Sequence, residues 1–345
     1  MRFCGSRAAR RTKSAAVSWL SWALPIVPSE AASAIEAAVL AARPDVVTIE
    51  MFDPPAPALH AALANADGLV AWLERVDTAA LAAAPRLRAV SRIGVGFDTV
   101  DIPACTERGI AVMVVNGTND LSVAEHAMML MLGVARRAVD SDAHIKQGGW
   151  WPKDGPRMVD LAGKTALVVG YGRIGSRVAA YARAFHMKVM VHDPLYHPAR
   201  IASDGHIPAR DFKKALAEAD VVTLHCPLMP ETRHLMDEAA FAALKPGAIL
   251  VNTARGPIVK QEAVVAALQS GRLMGFGTDV LEVEPATPGN PLFGMPNVII
   301  SPHSAASTEE GTARMAEAAA RNILAALDGA PDPAMMVNPE ILQRR

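Results

Sequence analysis

Cysteine is scarce in this chain of 345 residues: Cys4, Cys105 and Cys226 stand far apart, with no CxxC pair and no Cys/His cluster. That spacing excludes a disulfide framework and a zinc site, so no metal is expected, and it suits a reducing compartment. Aromatic residues are few, at 5% of the chain, while Ala, Val, Leu and Met dominate. This composition suits helices alternating with buried strands more than a β-sandwich. An excess of charge is also missing, because 34 basic residues face 35 acidic ones for a formal net charge of −1. No global field then favours nucleic acid or an anionic membrane, and a small ligand is the better-suited partner. No stretch reaches the ~18 uninterrupted apolar residues of a membrane-spanning helix, so a soluble chain is expected.

At 345 residues the chain exceeds the usual size of one hydrophobic core, which points to two domains with a cleft between them. Strand-like runs at 23–27, 46–51, 68–72, 87–92 and 110–114 alternate with alanine-rich helical segments such as 31–42 and 56–64. Strand followed by helix, repeated, means βαβ units and a parallel sheet. A helical pattern at 121–137 is apolar almost throughout, as expected of a helix crossing between domains or lying at a subunit interface. After the Gly/Trp/Pro/Asp segment 148–156, a second series places strands at 165–169, 189–192, 221–224, 248–252, 275–279 and 298–301. Six such strands make a complete doubly wound unit. The last helix, 307–327, has no strand after it and is expected to return to the first domain. The reading is therefore α/β, with two doubly wound parallel-sheet domains: 1–118 completed by 307–345, and 119–306.

The run Val168-Val169-Gly170-Tyr171-Gly172-Arg173-Ile174-Gly175 sets a GxGxxG between a strand and a helix, and Asp193 ends the next strand 18 residues past the last glycine. In that context Gly170 permits the tight turn, Gly172 lets backbone approach a pyrophosphate, and Gly175 lets helix and strand pack closely. Asp193 would accept hydrogen bonds from ribose hydroxyls and repel a 2′-phosphate, which selects NAD. NADP stays open as the alternative, because Arg173 and His192 lie nearby.

The N-terminal segment has two readings. Arg2, Arg7, Arg10, Arg11 and Lys13 precede an apolar run at 15–27 and then Ala31, Ala32 and Ala34, the order of a signal peptide. The competing reading makes 19–27 the first strand behind a basic extension; a dinucleotide enzyme needs cytosolic cofactor, which favours a cytoplasmic protein.

Hydride transfer to a 2-oxo acid needs a cation for the carboxylate, an acid for the forming alkoxide and a partner for that acid. Arg255 follows the strand at 248–252, Glu284 lies in the loop after the next strand, and His303 follows the last. Each stands at the carboxyl end of a parallel strand, where open α/β sheets bind ligands. Taken singly, Arg255 could cap a strand end, Glu284 could pair with Glu282 in solvent, and His303 could start a helix. Glu125-His126 reads as structural, and His225 and His234 show no evident partner.

An ordered set of motifs extends this reading: Gly94-Val95-Gly96-Phe97-Asp98, Val123-Ala124-Glu125-His126, Gly170 to Gly175, 220–227, Asn252-Thr253-Ala254-Arg255-Gly256, 279–285 and Ser301-Pro302-His303-Ser304-Ala305-Ala306. From about residue 23 to the Val337-Asn338-Pro339-Glu340 tail, the chain resembles the D-isomer-specific 2-hydroxyacid dehydrogenase family. The resemblance implies a flavodoxin-like substrate domain and a Rossmann NAD-binding domain. It implies that Arg255 binds the substrate carboxylate and carbonyl. His303 would be the acid in reduction and the base in oxidation, and Glu284 would hydrogen-bond it, fix its tautomer and favour the imidazolium. Val95 and Gly96 would offer backbone donors to the substrate carboxylate. Asp279 would contact the nicotinamide side, with Arg173, Ile174, Cys226, Pro227, Thr232, Thr253, Ala254, Ser304 and Ala305 along the cofactor path. A homodimer is implied as well.

The chain departs from the family pattern at Met229, where a threonine is frequent, and at Val70-Ala71-Trp72-Leu73, where phosphoglycerate-type members tend to carry arginine. An apolar residue there cannot hold a phosphate, so glyoxylate or hydroxypyruvate reduction is favoured over phosphoglycerate oxidation. Glu284 argues against the formate-oxidising branch, which has glutamine. Two other classes are weighed: an NAD(H)-sensing binding module of the same fold, disfavoured because no disordered tail or basic patch is evident, and an adenosylhomocysteine hydrolase-type enzyme, which the Arg/Glu/His set fits poorly.

Overall fold

The computed structural model describes residues 15–21, 35, 37–43, 45–52, 55–72, 74–150 and 155–344. They form two α/β units, Met1–Asn119 with Glu309–Arg345 and Asp120–Thr308. The first unit holds strands β1 (Ala15–Ser21), β2 (Val46–Phe52), β3 (Gly68–Ala71), β4 (Ala89–Arg92) and β5 (Ala111–Met113), with helices α1 (Ala56–Leu63), α2 (Thr78–Ala82) and α3 (Ile102–Glu107). The strands are parallel in the order β2-β1-β3-β4-β5, the flavodoxin-like winding expected from the sequence. The first strand occupies Ala15–Ser21, overlapping the start of the strand read at 19–27 and reaching into the extension before it, and the strand expected at 23–27 lies outside the described residues.

The second unit holds helices α4 (Asp120–Ala135), α5 (Ala138–Lys146), α6 (Arg173–Ala184), α7 (Pro198–Ser203), α8 (Phe212–Glu218), α9 (Glu238–Ala243) and α10 (Gln261–Gln269). Its strands are β6 (Thr165–Val169), β7 (Lys188–His192), β8 (Ile207–Pro208), β9 (Val221–Leu224), β10 (Ala248–Asn252), β11 (Leu273–Thr278) and β12 (Val298–Ile300). The sheet runs β12-β11-β10-β9-β6-β7-β8, all parallel. Counted from β6 this is the doubly wound 3-2-1-4-5-6 order with one further edge strand. The sheet has seven strands where six were expected, because the two-residue β8 is too short to leave a pattern. Its centre is buried on both faces: Leu167, Val169 and Leu250 point into one core, Ala166, Val168, Ile249 and Val251 into another. That explains why these strands read as continuous apolar runs.

The apolar helix α4 packs inside its own unit, against α6 and strands β10, β11 and β12. This packing accounts for its buried face, while Leu121 and Met129 stay exposed. Small residues make room for it: a Cβ on Gly275 would lie 2.6 Å from Val134, and one on Gly277 would lie 2.9 Å from Leu130.

Chain segments from both ends complete the first unit. Helix α11 (Glu309–Leu327) covers β3 and β4, with Ile323 3.1 Å from where a side chain on Gly68 would begin. Beyond it the tail runs beside β5, bridged antiparallel from Met113 to Met336. Asn338, fully buried, accepts from Val112 N at 2.9 Å and donates to Ile110 O at 2.9 Å and Thr106 Oγ1 at 3.1 Å.

Candidate active site

The glycine loop leaves β6 and enters α6. Gly170 has φ +93°, a region that L side chains rarely adopt, and a Cβ there would stand 2.7 Å from the backbone of His225 and Cys226. A Cβ on Gly175 would stand 1.9 Å from Gly170 O, so helix and strand meet only because both positions are glycine. Gly172 caps α6 with no side-chain partner, and a Cβ there would meet nothing within 4 Å. The amides of the first turn, which carries exposed Arg173 and half-buried Ile174, thus face open space, where a helix N-terminus attracts phosphate.

Just past β7, the Asp193 carboxylate accepts from Tyr171 N at 2.7 Å and Leu195 N at 2.8 Å. A carboxylate offers about four lone-pair sites, so acceptor capacity is left for ribose hydroxyls. His192 Nδ1 bonds instead to Ala209 O at 2.8 Å. After β9, burial pushes the Cys226 thiol up to about 11, which keeps it protonated and unreactive as a nucleophile near neutral pH. The Thr232 hydroxyl donates to Pro227 O at 2.6 Å and accepts from Met229 N at 2.8 Å, tying the 227–232 loop shut. After β10, Thr253 Oγ1 is buried without a hydrogen-bond partner among the described residues, beside Ala254. An orphaned hydroxyl, an uncovered glycine and spare acceptors on an aspartate together fit a dinucleotide.

Three loops at the carboxyl ends of β10, β11 and β12 bring Arg255, Glu284 and His303 together. The buried Asn252 shapes the first, accepting from Ala254 N at 3.0 Å and donating to Arg255 O at 2.9 Å. Gly256 lets this loop touch the next, since a Cβ there would fall 1.7 Å from Leu281 O. Glu284 Oε1 accepts from Leu281 N at 2.8 Å, and its Oε2 meets His303 Nδ1 at 2.8 Å. Burial works against the charged Glu284 carboxylate. The hydrogen bond and charge of His303, the Leu281 amide and the Arg255 guanidinium outweigh it, so the group titrates below its ordinary range. His303 itself has φ +53°, an uncommon conformation for a residue with a side chain.

Asp279, buried at the end of β11, organises the His303 loop. Its Oδ1 accepts from the Ser301 hydroxyl at 2.6 Å and Ser304 N at 2.8 Å, and its Oδ2 accepts from Ala305 N at 2.9 Å. Its backbone oxygen takes His303 N at 2.8 Å. One acceptor direction of about four is left for a ligand.

Residues 128–305 match the family described as D-isomer specific 2-hydroxyacid dehydrogenase, NAD binding domain, which is just over half of the chain. The glyoxylate reductase of Aeropyrum pernix is 39% identical over 308 residues, covering 86% of this chain and 91% of that protein. The chain belongs to this family. It is an NAD-dependent oxidoreductase that interconverts a D-2-hydroxy acid and its 2-oxo acid. The D-3-phosphoglycerate dehydrogenase of Mycobacterium leprae is 41% identical over 292 residues, but these are 84% of this chain and only 55% of that one. Among solved structures, D-lactate dehydrogenase from Aquifex aeolicus, complexed with NAD and lactic acid, superposes with a TM-score of 0.82 at 28% identity, covering 93% of this chain and 99% of that one.

Other residues of this 2-hydroxyacid dehydrogenase fall differently from expectation. His234, read as lacking a partner, bonds Glu282 at 2.6 Å, and Glu282 also accepts from Gln261 N at 2.8 Å. Glu282 and Glu284 therefore serve separate partners rather than forming a solvated pair. His225 Nε2 meets Thr223 Oγ1 at 2.8 Å, and burial pushes this imidazole down to about 3, keeping it neutral. His126 reaches Ser301 Oγ at 2.7 Å, a contact across 175 residues that no spacing rule could find. In the first unit, the buried Arg92 donates to Gly96 O at 2.9 Å, holding the loop that carries Val95 and Gly96. Among the described residues, no group of three or more His, Cys, Asp or Glu could hold a metal ion, and no helix is long and apolar enough to cross a membrane.

Proposed function

We propose that this dehydrogenase reduces a small 2-oxo acid such as glyoxylate or hydroxypyruvate, with Arg255, Glu284 and His303 as its catalytic residues. The observation that carries the reading is the His303–Glu284 hydrogen bond of 2.8 Å beside the Arg255 charge. NADH, when bound, supplies the hydride that adds to C2. Arg255 offers a planar fork of donors to the substrate carboxylate and polarises the adjacent carbonyl. Because the ionised Glu284 can only accept at His303 Nδ1, that nitrogen keeps its proton and Nε2 is the atom that exchanges. In reduction Nε2 donates a proton to the carbonyl oxygen as C2 gains the hydride; in oxidation it takes the hydroxyl proton back.

Gly170, Gly172, Arg173, Ile174 and Gly175 would hold the pyrophosphate of the cofactor, and Asp193 would accept from its ribose hydroxyls. Cys226, Pro227, Thr232, Thr253, Ala254, Asp279, Ser304 and Ala305 would line the rest of its path. The Val95 and Gly96 amides of the first unit serve the substrate carboxylate. Against a phosphorylated substrate stands the end of β3, where Ala71 and Trp72 occupy the place at which phosphoglycerate-type members tend to carry arginine, and an apolar residue there cannot hold a phosphate. The balanced charge suits a small-molecule partner, and the scattered cysteines and the need for NAD suit the cytoplasm. The enzyme works as a homodimer: none of the residues of α5 is buried, and Val139, Ile145 and Trp150, 77% exposed, lie on it or just after it.

The test is a panel of glyoxylate, hydroxypyruvate, pyruvate and 3-phosphohydroxypyruvate with NADH, followed by loss of nicotinamide absorbance. Glyoxylate or hydroxypyruvate should lead, with kcat/KM for the phosphorylated acid lower by about tenfold or more. Preference for the phosphorylated acid, or no turnover of any, would overturn the proposal. Sedimentation should give a dimer mass.

A further inference from the structure

Three side chains from three elements form one directed chain of hydrogen bonds that ends on the loop of His303. His126 on α4 reaches Ser301 Oγ with its Nε2 at 2.7 Å, and Ser301 reaches Asp279 Oδ1 at 2.6 Å. Direction follows from proton count. A serine hydroxyl has one hydrogen, and here it goes to the carboxylate, which can only accept. Ser301 Oγ must therefore accept from His126, which fixes the hydrogen of that imidazole on Nε2. Burial holds His126 below its usual range despite the Asp279 carboxylate 3.7 Å away, so the ring is neutral near pH 7 and the tautomer matters.

What the chain controls is the geometry of 301–305. Asp279 binds Ser304 N, Ala305 N and, through its own backbone oxygen, His303 N. His303 holds a φ of +53°, and such a conformation persists only where its surroundings over-determine it. If the Ser301 hydroxyl could turn, it would swing away from Oδ1, and the carboxylate that pins the Ser304 and Ala305 amides would be free to rotate. His126 forbids that turn by occupying the Ser301 lone pair.

We propose that His126 is a positioning residue for catalysis: as its Nε2–H tautomer it locks Ser301 onto Asp279 and so holds His303 in its working orientation. The proposal rests on the assignment of His303 as acid/base. It gives the histidine of the Glu125-His126 pair a task beyond packing α4.

The experiment uses the full-length enzyme with NADH and its best 2-oxo acid. His126→Leu should lower kcat by about 10- to 100-fold, the scale of a sub-ångström to ångström misplacement, while KM and NADH affinity change less than about threefold. His126→Gln, which keeps a donor near Nε2, should restore kcat to within about fivefold of wild type. A purely structural role would instead lower the melting temperature and leave kcat of the folded fraction unchanged. Ser301→Ala provides an independent route if His126→Leu does not fold: it should show the same kcat loss, and the double variant should be no worse than either single one. Wild-type kcat in Ser301→Ala, or His126→Gln as impaired as His126→Leu, overturns the proposal. His303→Ala serves as the control: if it keeps full activity the acid/base assignment itself fails, whereas an inactive His303→Ala beside a fully active His126→Leu sinks only the positioning role.

Discussion

Adding one methyl group to either of two neighbouring glycines should produce opposite kinds of damage. In Gly175→Ala the new carbon would lie 1.9 Å from Gly170 O. The obstacle is backbone, so no rotamer change relieves it, and helix and strand must part by about 1.5 Å to reach ordinary contact. Overpacking of this kind costs about 1–3 kcal/mol, partly offset by up to ~1 kcal/mol because alanine is the better helix former. A net loss of about 2 kcal/mol in a unit this size lowers the melting temperature by roughly 4–8 °C. In Gly172→Ala the new carbon meets nothing, and the backbone, at φ −70° and ψ −162°, suits any residue. Alanine is a poorer N-cap than glycine by about 0.5 kcal/mol, so the apo protein should melt within about 2 °C of wild type. Its methyl group, however, would stand between a pyrophosphate and the amides at the start of α6. Losing about two charge-assisted hydrogen bonds, some 3 kcal/mol together, weakens NADH binding by about a hundredfold. Scanning fluorimetry of the apo variants and NADH titration of each separate the two effects. Wild-type NADH affinity in Gly172→Ala, or equal melting losses in both, would refute the account of the loop.

The remaining expectations concern the reacting groups and the tail. Arg255→Ala should lower kcat/KM by about 10²–10³-fold while NADH affinity stays within about twofold, and steady-state kinetics beside an NADH titration decide it. For Glu284 the sign follows from its lowered titration in the folded protein: the stabilisation is present above the ordinary carboxylate value of 4.5 and is lost as pH falls through the folded value. The melting gap between wild type and Glu284→Gln should thus be constant at neutral pH and close in acid; a gap that widens in acid contradicts it. Asn338→Ala strands Val112 N and Ile110 O in a fully buried place and should cost about 2–4 kcal/mol by urea denaturation, and a loss under ~1 kcal/mol would show that water or relaxation satisfies them.

How much of this was legible beforehand depends on how far apart the interacting residues are in sequence. The βαβ alternation was plain because central strands such as β6 and β10 are buried on both faces, and because each turn carries its own glycine or aspartate. The edge strand β8, two residues long and ending in proline, has no such signature. The strand at Ala15–Ser21 was only partly foreseen, because the mostly apolar run from 15 to 27 has no clear period to mark a boundary. Arg255, Glu284 and His303 were readable as candidates because each sits just past a strand end. His126 and His234 were not, since their partners are 175 and 48 residues away. The burial of α4 was legible from its composition, but its partners were not: Gly275 and Gly277, which admit it, belong to a strand more than a hundred residues later.

The tail beside β5 and the helix over β3 and β4 bear on how the polypeptide acquires its shape as it leaves the ribosome. The opening 119 residues emerge first, yet the surface that α11 covers stays bare until the final stretch has been translated. The middle unit is continuous and can close during synthesis, so it should become protease-resistant before the portion made ahead of it. Arresting translation ahead of Glu309 should yield a nascent chain in which residues 120–308 survive digestion and those upstream of them are cut.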